Sequence, residues 1–141
     1  MKATGAEIVI RMLEQQGIKV ITGIPGSANL PLYQALSDSS IEHVLASHEQ
    51  GAGFIAQGMA RSTGKPAAVF ATSGPGATNL LTAIADARSD SVPIIAITGQ
   101  VNQAMMGSDA FQEVDTYGMS IPVTKHTFLV RYAGDLFKVI P

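Results

Sequence analysis

Ala67-Ala68-Val69-Phe70-Ala71-Thr72-Ser73-Gly74-Pro75-Gly76-Ala77-Thr78-Asn79 is the stretch of sequence that decides the fold. Its first five residues are apolar without alternation, which is typical of a strand buried on both faces of a parallel sheet. A glycine-rich turn follows, and then a helix is predicted to run to about Arg88. Because parallel strands need crossover connections, a buried strand that turns directly into a helix predicts a βαβ unit.

The rest of the chain repeats this alternation of helix and strand. Thr4-Gly5-Ala6-Glu7 predicts a capping box at the start of the first helix, which should end at Gly17. Four further strands are predicted at 18–22, 44–46, 94–98 and 126–130. Two further helices are predicted at 30–36 and 52–61. The strand at 94–98 should be buried like the one at 67–71. The sequence therefore predicts an α/β fold, a Rossmann-like parallel sheet flanked by helices.

The length and composition indicate one domain. The chain has 141 residues, of which 46% are hydrophobic and only 14% charged, so it can bury a core and has apolar surface left for partner chains. Residues 135–140 begin an amphipathic helix, and the sequence ends at Pro141. We expect residues 1–141 to be a single domain that is truncated at its C-terminal end and belongs to a longer protein.

Charge and cysteine content exclude several classes of function. The net charge of −2 and the lack of any block of like charge argue against binding to nucleic acid or an anionic membrane. The sequence has no cysteine, which excludes disulfides, thiolate metal sites and cysteine nucleophiles. Its apolar runs are too short to span a bilayer, and a cytoplasmic location is expected.

Two glycine turns follow predicted strands, and each allows two interpretations. Gly23–Ser27 and Thr72–Asn79 could aim backbone amides at a phosphate. They could equally be tight turns that need glycine only for their backbone geometry. Neither turn has the spacing of a dinucleotide or P-loop motif.

Glu49 lies where the predicted second strand gives way to a helix, the region in which α/β proteins bind ligands. It is either a partner of the helix dipole or a catalytic acid. The neighbouring His48 is interpreted as structural, and no metal ligand is assigned, because no second His or Asp lies at ligand spacing. Asp109, Glu113 and Asp115 could be paired carboxylates or a solvated loop.

Taken in order, these motifs resemble those of one enzyme family. They are similar to the N-terminal, pyrimidine-binding domain of the large subunits of acetohydroxyacid synthase (acetolactate synthase), which are thiamine-diphosphate enzymes. The resemblance covers about Thr4 to Arg131 and rests on five segments: Gly23-Ile24-Pro25-Gly26, His48-Glu49-Gln50-Gly51-Ala52, Thr72 to Asn79, Thr98-Gly99-Gln100-Val101 and Asp109 to Asp115.

The resemblance implies roles for individual residues. Glu49 would be the catalytic glutamate that hydrogen-bonds N1′ of the aminopyrimidine ring of the cofactor. Three residues of the second glycine turn would line the ring pocket, so that this turn packs against the ring and does not bind phosphate: Pro75, Gly76 and Asn79.

Two further pairs of residues would approach the reacting centre. Phe111 and Gln112 match the pair beside the substrate region, and Pro25 and Gly26 match the loop near the reacting centre. The sequence departs from the family at two positions. Ser27 replaces a frequent glycine and would be strained at positive φ, and Asn102 replaces a frequent proline, so that inhibitor sensitivity does not carry over.

The implied activity of the whole enzyme is the decarboxylation of pyruvate and ligation to a second 2-keto acid, pyruvate or 2-ketobutyrate, for branched-chain amino acids. The implied cofactors are thiamine diphosphate, with Mg²⁺ and FAD held mainly outside this chain. The implied assembly is a homodimer or larger oligomer with the active site between chains, and a small regulatory subunit is allowed. The 141-residue chain alone is expected to be inactive.

Three other interpretations stay open. Another thiamine-diphosphate enzyme, such as pyruvate oxidase or a different carboligase, would share Glu49 and the glycine turn, although Phe111 and Gln112 argue against it. A generic dinucleotide-binding module lacks its glycine fingerprint here. A non-catalytic domain remnant or binding module is the third.

Overall fold

A computed structural model describes residues 2–141. Four α-helices and four β-strands alternate along residues 5–98, and two short α-helices with 3₁₀ turns follow. The elements are α1 (Gly5–Gln15), β1 (Val20–Gly23), α2 (Leu30–Ser37), β2 (Glu42–Leu45), α3 (Glu49–Thr63), β3 (Ala67–Ala71), α4 (Pro75–Ser89), β4 (Ile94–Thr98), α5 (Thr116–Ser120) and α6 (Leu136–Val139), with 3₁₀ turns at Gln103–Met105, Ile121–Val123 and Ala133–Asp135.

The four strands form one parallel sheet in the order β2-β1-β3-β4. The predicted α/β class is confirmed. All five residues of β3 are buried, as their unbroken apolar character predicted. The helix at the start of the chain also begins as predicted, because Thr4 N–H donates to the Glu7 carboxylate at 2.7 Å and Glu7 N–H donates to the Thr4 hydroxyl at 3.2 Å.

Two separate hydrophobic cores lie on the two faces of the sheet. Successive residues of a strand point to opposite faces, and β3 divides its side chains between the cores in this way. The aliphatic core contains Ala68 and Phe70 of β3, with its other members on α1, β1, α2 and α6 and in the loops beside them: Val9, Ile10, Met12, Leu13, Ile18, Ile21, Leu36, Ile41 and Leu136. The small-residue core contains Ala67, Val69 and Ala71 of β3, with Ala52, Ala56, Ala60, Leu80 and Ile84.

Helices α3 and α4 pack closely across the small-residue core. A Cβ atom added to Gly53 of α3 would lie 2.5 Å from Cβ of Ala83 on α4, which is too close for two carbon atoms. The Gln57 side-chain amide, which is buried, donates to the Ala83 carbonyl oxygen at 2.7 Å and satisfies its polar group. The two helices therefore have a fixed separation that depends on glycine and alanine.

Two predictions about strands are wrong. The strand β4 is only partly buried, because it lies at the edge of the sheet and β3 covers one side of it alone. Residues 126–130 form no strand, since their backbone pairs with no other strand among residues 2–141. The alternation at 126–130 does appear in the burial, with Phe128 and Val130 exposed and Thr127 and Leu129 partly buried. Alternation without a pairing partner gives an extended segment and no ladder.

No helix within residues 2–141 combines the length and the apolar character that crossing a membrane requires.

Candidate active site

The predicted site residues come from segments that follow the carboxyl ends of parallel strands. The strands β1, β2 and β3 end at Gly23, Leu45 and Ala71, and the segments that follow lead into α2, α3 and α4. In an open parallel sheet these carboxyl ends lie at one edge, where ligands bind. The fold therefore collects residues that are far apart in the sequence.

Glu49 is the first residue of α3. The helix begins after His48, which has an extended backbone and whose Nδ1 accepts a hydrogen bond from the Gln50 N–H at 3.2 Å. The structural role predicted for His48 is confirmed, because its side chain caps the helix. The first turn of a helix is a position that suits an acidic side chain, and Glu49 occupies it.

The Glu49 carboxylate contacts α4 through two different residues. Asn79 Nδ2 donates to Glu49 Oε2 at 2.9 Å in a partly buried hydrogen bond. The other oxygen, Oε1, lies beside Gly76, at 3.4 Å from where a Cβ atom of that residue would be. One carboxylate oxygen is thus held by an amide, and the other lies over the first turn of α4 next to a residue without a side chain.

Thr72 joins two glycine turns, and the sequence did not single it out. Its hydroxyl oxygen accepts the Ala28 N–H at 3.3 Å. Its side chain fills the space that Cβ atoms would need at Gly26 and Gly76, at 2.5 Å and 2.7 Å, respectively. Glycine is therefore required at both positions by close packing. A threonine after a buried strand gives no signal of this role in the sequence.

Asn29 is a second residue that the sequence analysis missed. It is fully buried, and its Oδ1 accepts the Gly26 N–H at 2.7 Å while its Nδ2 donates to the Ile24 carbonyl oxygen at 3.2 Å. These bonds hold the predicted Gly23–Ser27 turn in one conformation. An asparagine that follows a Pro-Gly turn and precedes a helix is the sequence signal that could have revealed it.

Gln112 packs against the turn that leads into α4. Gly74 has a φ of +58°, and a Cβ added to it would lie 2.5 Å from the Gln112 carbonyl oxygen. Ser27 Oγ donates to Gln112 Oε1 at 3.3 Å. Ser27 is not among the residues of 2–141 with positive φ, so the strain considered for it does not arise. Phe111, next to Gln112, is 86% exposed.

The predicted site residues thus fall into two groups, those that are connected to Glu49 or to the turn before α4 and those that are exposed. Glu49, Gly76 and Asn79 are in direct contact, and Gly26 and Gln112 are connected to the same turn through Thr72 and Gly74. The remaining three predicted residues, Pro25, Pro75 and Phe111, are exposed.

The described part of the chain, residues 2–141, holds no group of three His, Asp or Glu side chains arranged to bind a metal. A cavity of about 550 Å³ lies elsewhere, lined by Tyr117, residues 127–131 and Lys138 among others. None of the predicted site residues lines this cavity, so its volume does not identify the site.

The arrangement around Glu49 suits a flat heterocycle better than a phosphate. A carboxylate beside the glycine turn would repel an anion, whereas it can accept a hydrogen bond from a ring nitrogen or share a proton with it. Because Gly76 has no side chain, the backbone at the start of α4 itself lies beside Oε1. The residues present therefore fit the aminopyrimidine ring that the sequence resemblance implies.

Comparison with known proteins gives the same assignment. Residues 3–119 match the family described as "Thiamine pyrophosphate enzyme, N-terminal TPP binding domain". The chain is 67% identical over 138 residues to the acetolactate synthase isozyme 1 large subunit of Escherichia coli, which covers 97% of this chain and 25% of that protein. Isozyme 2 of the same organism is 52% identical over 136 residues, or 96% of this chain and 25% of that subunit.

A third relative has the same percentage identity as the isozyme 2 subunit. The probable acetolactate synthase large subunit of Methanocaldococcus jannaschii is 52% identical over 127 residues, which are 90% of this chain and 22% of that protein. The chain therefore spans about a quarter of the length of the curated relatives that it matches.

Proposed function

The chain belongs to the thiamine pyrophosphate enzymes, whose N-terminal cofactor-binding domain it matches, and we propose that it is part of an acetolactate synthase large subunit. The observation that carries the proposal is the Glu49 carboxylate, whose Oε2 is held by Asn79 at 2.9 Å and whose Oε1 lies beside Gly76, a residue without a side chain. The similarity to acetolactate synthase large subunits over nearly the whole chain supports it.

Glu49 would hold the aminopyrimidine ring and exchange a proton with its N1′ nitrogen. The Asn79 amide bonds Oε2, which leaves Oε1 as the oxygen that would face the ring. Gly76 and Pro75 would line the ring pocket, and the Thr72 side chain packs against Gly76. When bound, thiamine diphosphate accepts the electrons released by decarboxylation of a 2-keto acid.

Pro25, Gly26, Phe111 and Gln112 lie on the substrate side of the site in this proposal. Asn29 keeps the first pair in place, and the contact with Gly74 keeps Gln112 in place. The proposed substrates are pyruvate and a second 2-keto acid, pyruvate or 2-ketobutyrate. Condensation yields acetolactate or acetohydroxybutyrate, from which branched-chain amino acids are made.

The remaining parts of the proposal rest on the family resemblance. Mg²⁺ would be held with the diphosphate by residues outside this chain, and FAD would also bind mainly outside it. The active site would lie between two chains, with an optional regulatory subunit. The exposed apolar side chains Phe54 and Ile55 on α3, two turns from Glu49 at most, are consistent with burial by a partner chain.

The activity is tested by transplanting this chain into a relative that can complete the site. The matching 138 residues of the E. coli isozyme 1 large subunit are replaced by those of this chain, and acetolactate formed from pyruvate is measured. We expect activity in the hybrid and a decrease of about 10²- to 10⁴-fold in kcat for Glu49→Gln, since glutamine can still bond Asn79 but cannot exchange the proton.

The matched control is Glu42→Gln, which removes the same charge from an exposed glutamate of β2. Exchange of the C2 proton of bound thiamine diphosphate should be slowed by Glu49→Gln and unaffected by Glu42→Gln. Equal exchange rates in the two variants would remove Glu49 from the mechanism. Acetate in place of acetolactate as the product would favour the pyruvate oxidase alternative. A hybrid without any activity, beside an active parent enzyme, would favour a non-catalytic remnant.

A further inference from the structure

We propose that Glu113 is a positioning residue, which holds the turn that carries Phe111 and Gln112 in place beside the Glu49 site. The inference rests on the proposed function, because it assigns the substrate side of the same site. Glu113 does not itself touch Glu49 or the glycine turn in any hydrogen bond found among residues 2–141. Its effect is exerted through the backbone that it organises.

The Glu113 carboxylate bridges the two ends of a tight segment. Its Oε1 accepts the Gly107 N–H, and its Oε2 accepts the Ala110 N–H at 3.0 Å. The pKa of Glu113 is lowered from its ordinary value, first by the Gly107 N–H and next by the Ala110 N–H. The carboxylate therefore closes residues 107–110 into a loop while it is charged.

The backbone of Glu113 closes a second turn, which contains the two residues of interest. Glu113 N–H donates to the Ala110 carbonyl oxygen at 2.9 Å, so that Phe111 and Gln112 are the central residues of a four-residue turn. Gln112 has a φ of +59°. Such a left-handed conformation is unfavourable for a residue with a side chain. The turn therefore needs compensating contacts, and the two bonds to the Glu113 carboxylate are among them.

Strain recurs on the other side of the same loop. Asp109 has a φ of +55°, and Gly107 has a φ of +84°. Glycine adopts this conformation without strain, but Asp109 and Gln112 are two left-handed residues with side chains within four positions, and such residues need anchoring contacts. The Glu113 carboxylate anchors the amide of Gly107 and the amide that follows Asp109, that of Ala110.

The organised turn packs onto the candidate active site. The Gln112 backbone lies against Gly74, directly before α4, and its side chain accepts the Ser27 hydroxyl at 3.3 Å. A shift of the turn would therefore move Gln112 away from Gly74 and change where the exposed Phe111 ring stands. Misplacement of about 1 Å in a substrate-positioning group lowers catalytic efficiency by as much as about a hundredfold.

The first test measures the turn itself in the 141-residue chain by amide hydrogen exchange. Glu113→Gln retains one acceptor oxygen, and Glu113→Ala retains none. We expect exchange of the Gly107 and Ala110 amides to accelerate in both variants, and more in Glu113→Ala than in Glu113→Gln. The acceleration in Glu113→Ala should be about tenfold or more. The amides of β3 serve as an internal check that the sheet is folded. Asp109→Asn is the matched control, because it removes a charge from the same loop at a side chain without a hydrogen-bond partner among residues 2–141.

The second test measures catalysis in the hybrid large subunit. Both Glu113 variants should lower kcat/KM for pyruvate by about tenfold to a hundredfold while C2 proton exchange of the bound cofactor stays at the rate of the unchanged hybrid. A loss of both kcat/KM and C2 exchange would instead indicate that Glu113 is needed for the folding of the domain as a whole. Accelerated amide exchange with unchanged kcat/KM would overturn the positioning role, as would unchanged amide exchange. If the unchanged hybrid forms no acetolactate, the proposed function fails, and the amide exchange still decides whether Glu113 holds the turn.

Discussion

The two faces of the sheet are built from different residues. The aliphatic core beneath α1 and α2 consists of Leu, Ile, Val and Met with one Phe and one Ala, whereas the small-residue core beneath α3 and α4 is mostly alanine. Large side chains bury more apolar area per residue, and buried area is the main source of stability. The first face therefore contributes most of the hydrophobic free energy, although the second face carries the candidate active site.

The second face buries less apolar area per residue, and its small residues allow α3 and α4 to approach each other closely. The hydrogen bond from Asn79 to Glu49 joins α4 to α3, and so does the bond from Gln57 to the Ala83 carbonyl oxygen. Both bonds require the helices to approach closely, and larger side chains between them would separate the partners. Alanine and glycine are thus needed for geometry on one face, as leucine and isoleucine are needed for stability on the other.

The largest expected effect is the loss of a side chain from the aliphatic core. Leu13 is fully buried on α1, and Leu13→Ala should lower the free energy of unfolding by about 3 kcal/mol, within the 2–5 kcal/mol found for such truncations. Urea denaturation of the 141-residue chain measures this loss. Under native conditions the chemical shifts of the Glu49 and Asn79 side chains should not change. A change in those shifts would show that the two faces are not independent.

The next largest effect is expected from adding one carbon atom to the other face. Gly53→Ala places a Cβ 2.5 Å from Cβ of Ala83, and such overpacking costs about 1–3 kcal/mol. The helices should also separate, which would weaken the hydrogen bond between Glu49 and Asn79 and lower the activity of the hybrid subunit.

Gly58→Ala is the control for this substitution. It lies on the same helix with nothing within 4 Å of the added atom, so it should stabilise the chain by up to about 1 kcal/mol through helix propensity alone. Opposite signs for the two glycine substitutions would support the role of close packing. Equal signs would mean that α3 adjusts its position and that the glycine at position 53 is not required for geometry.

The sequence predicted what depends on local patterns. The capping box at Thr4, the strand β3 and the turn before α4 follow from residue type and spacing, and the order of motifs identified the family. The half-exposed β4 and the unpaired segment 126–130 were predicted incorrectly, because the pairing and cover of a strand depend on its neighbours in the sheet. The pattern of residues alone does not determine the order of the strands in the sheet.

The supporting residues of the site were missed for a related reason. Thr72 acts through a contact with Ala28, which is 44 residues away in the sequence, whereas Asn29 acts within its own turn by bonding Gly26 three residues before it. Glu113 appeared equally compatible with a solvated loop, and only the structure shows the two backbone amides from which its carboxylate accepts hydrogen bonds. A side chain that organises another segment leaves no periodic signal, whereas Glu49 was recognisable from its place between strand and helix.

The smallest expected effect concerns the capping box, which belongs to the aliphatic face. Two hydrogen bonds from Thr4, first from its N–H and then from its hydroxyl, lower the pKa of Glu7 below the ordinary value of 4.5. A lowered pKa in the folded state means that the contribution of Glu7 is fully present above about pH 4.5 and is lost as the pH falls through the lowered value. The difference in unfolding free energy between the unchanged chain and Glu7→Gln should thus be measurable at pH 7 and shrink below pH 4.5.

This difference should also be smaller than either core effect, because the Glu7 carboxylate is exposed to solvent. Amide signals near Glu49 should be the same in the unchanged chain and in Glu7→Gln. A pH-independent difference for Glu7→Gln would mean that the cap stabilises α1 through Thr4 alone, without the charge of Glu7.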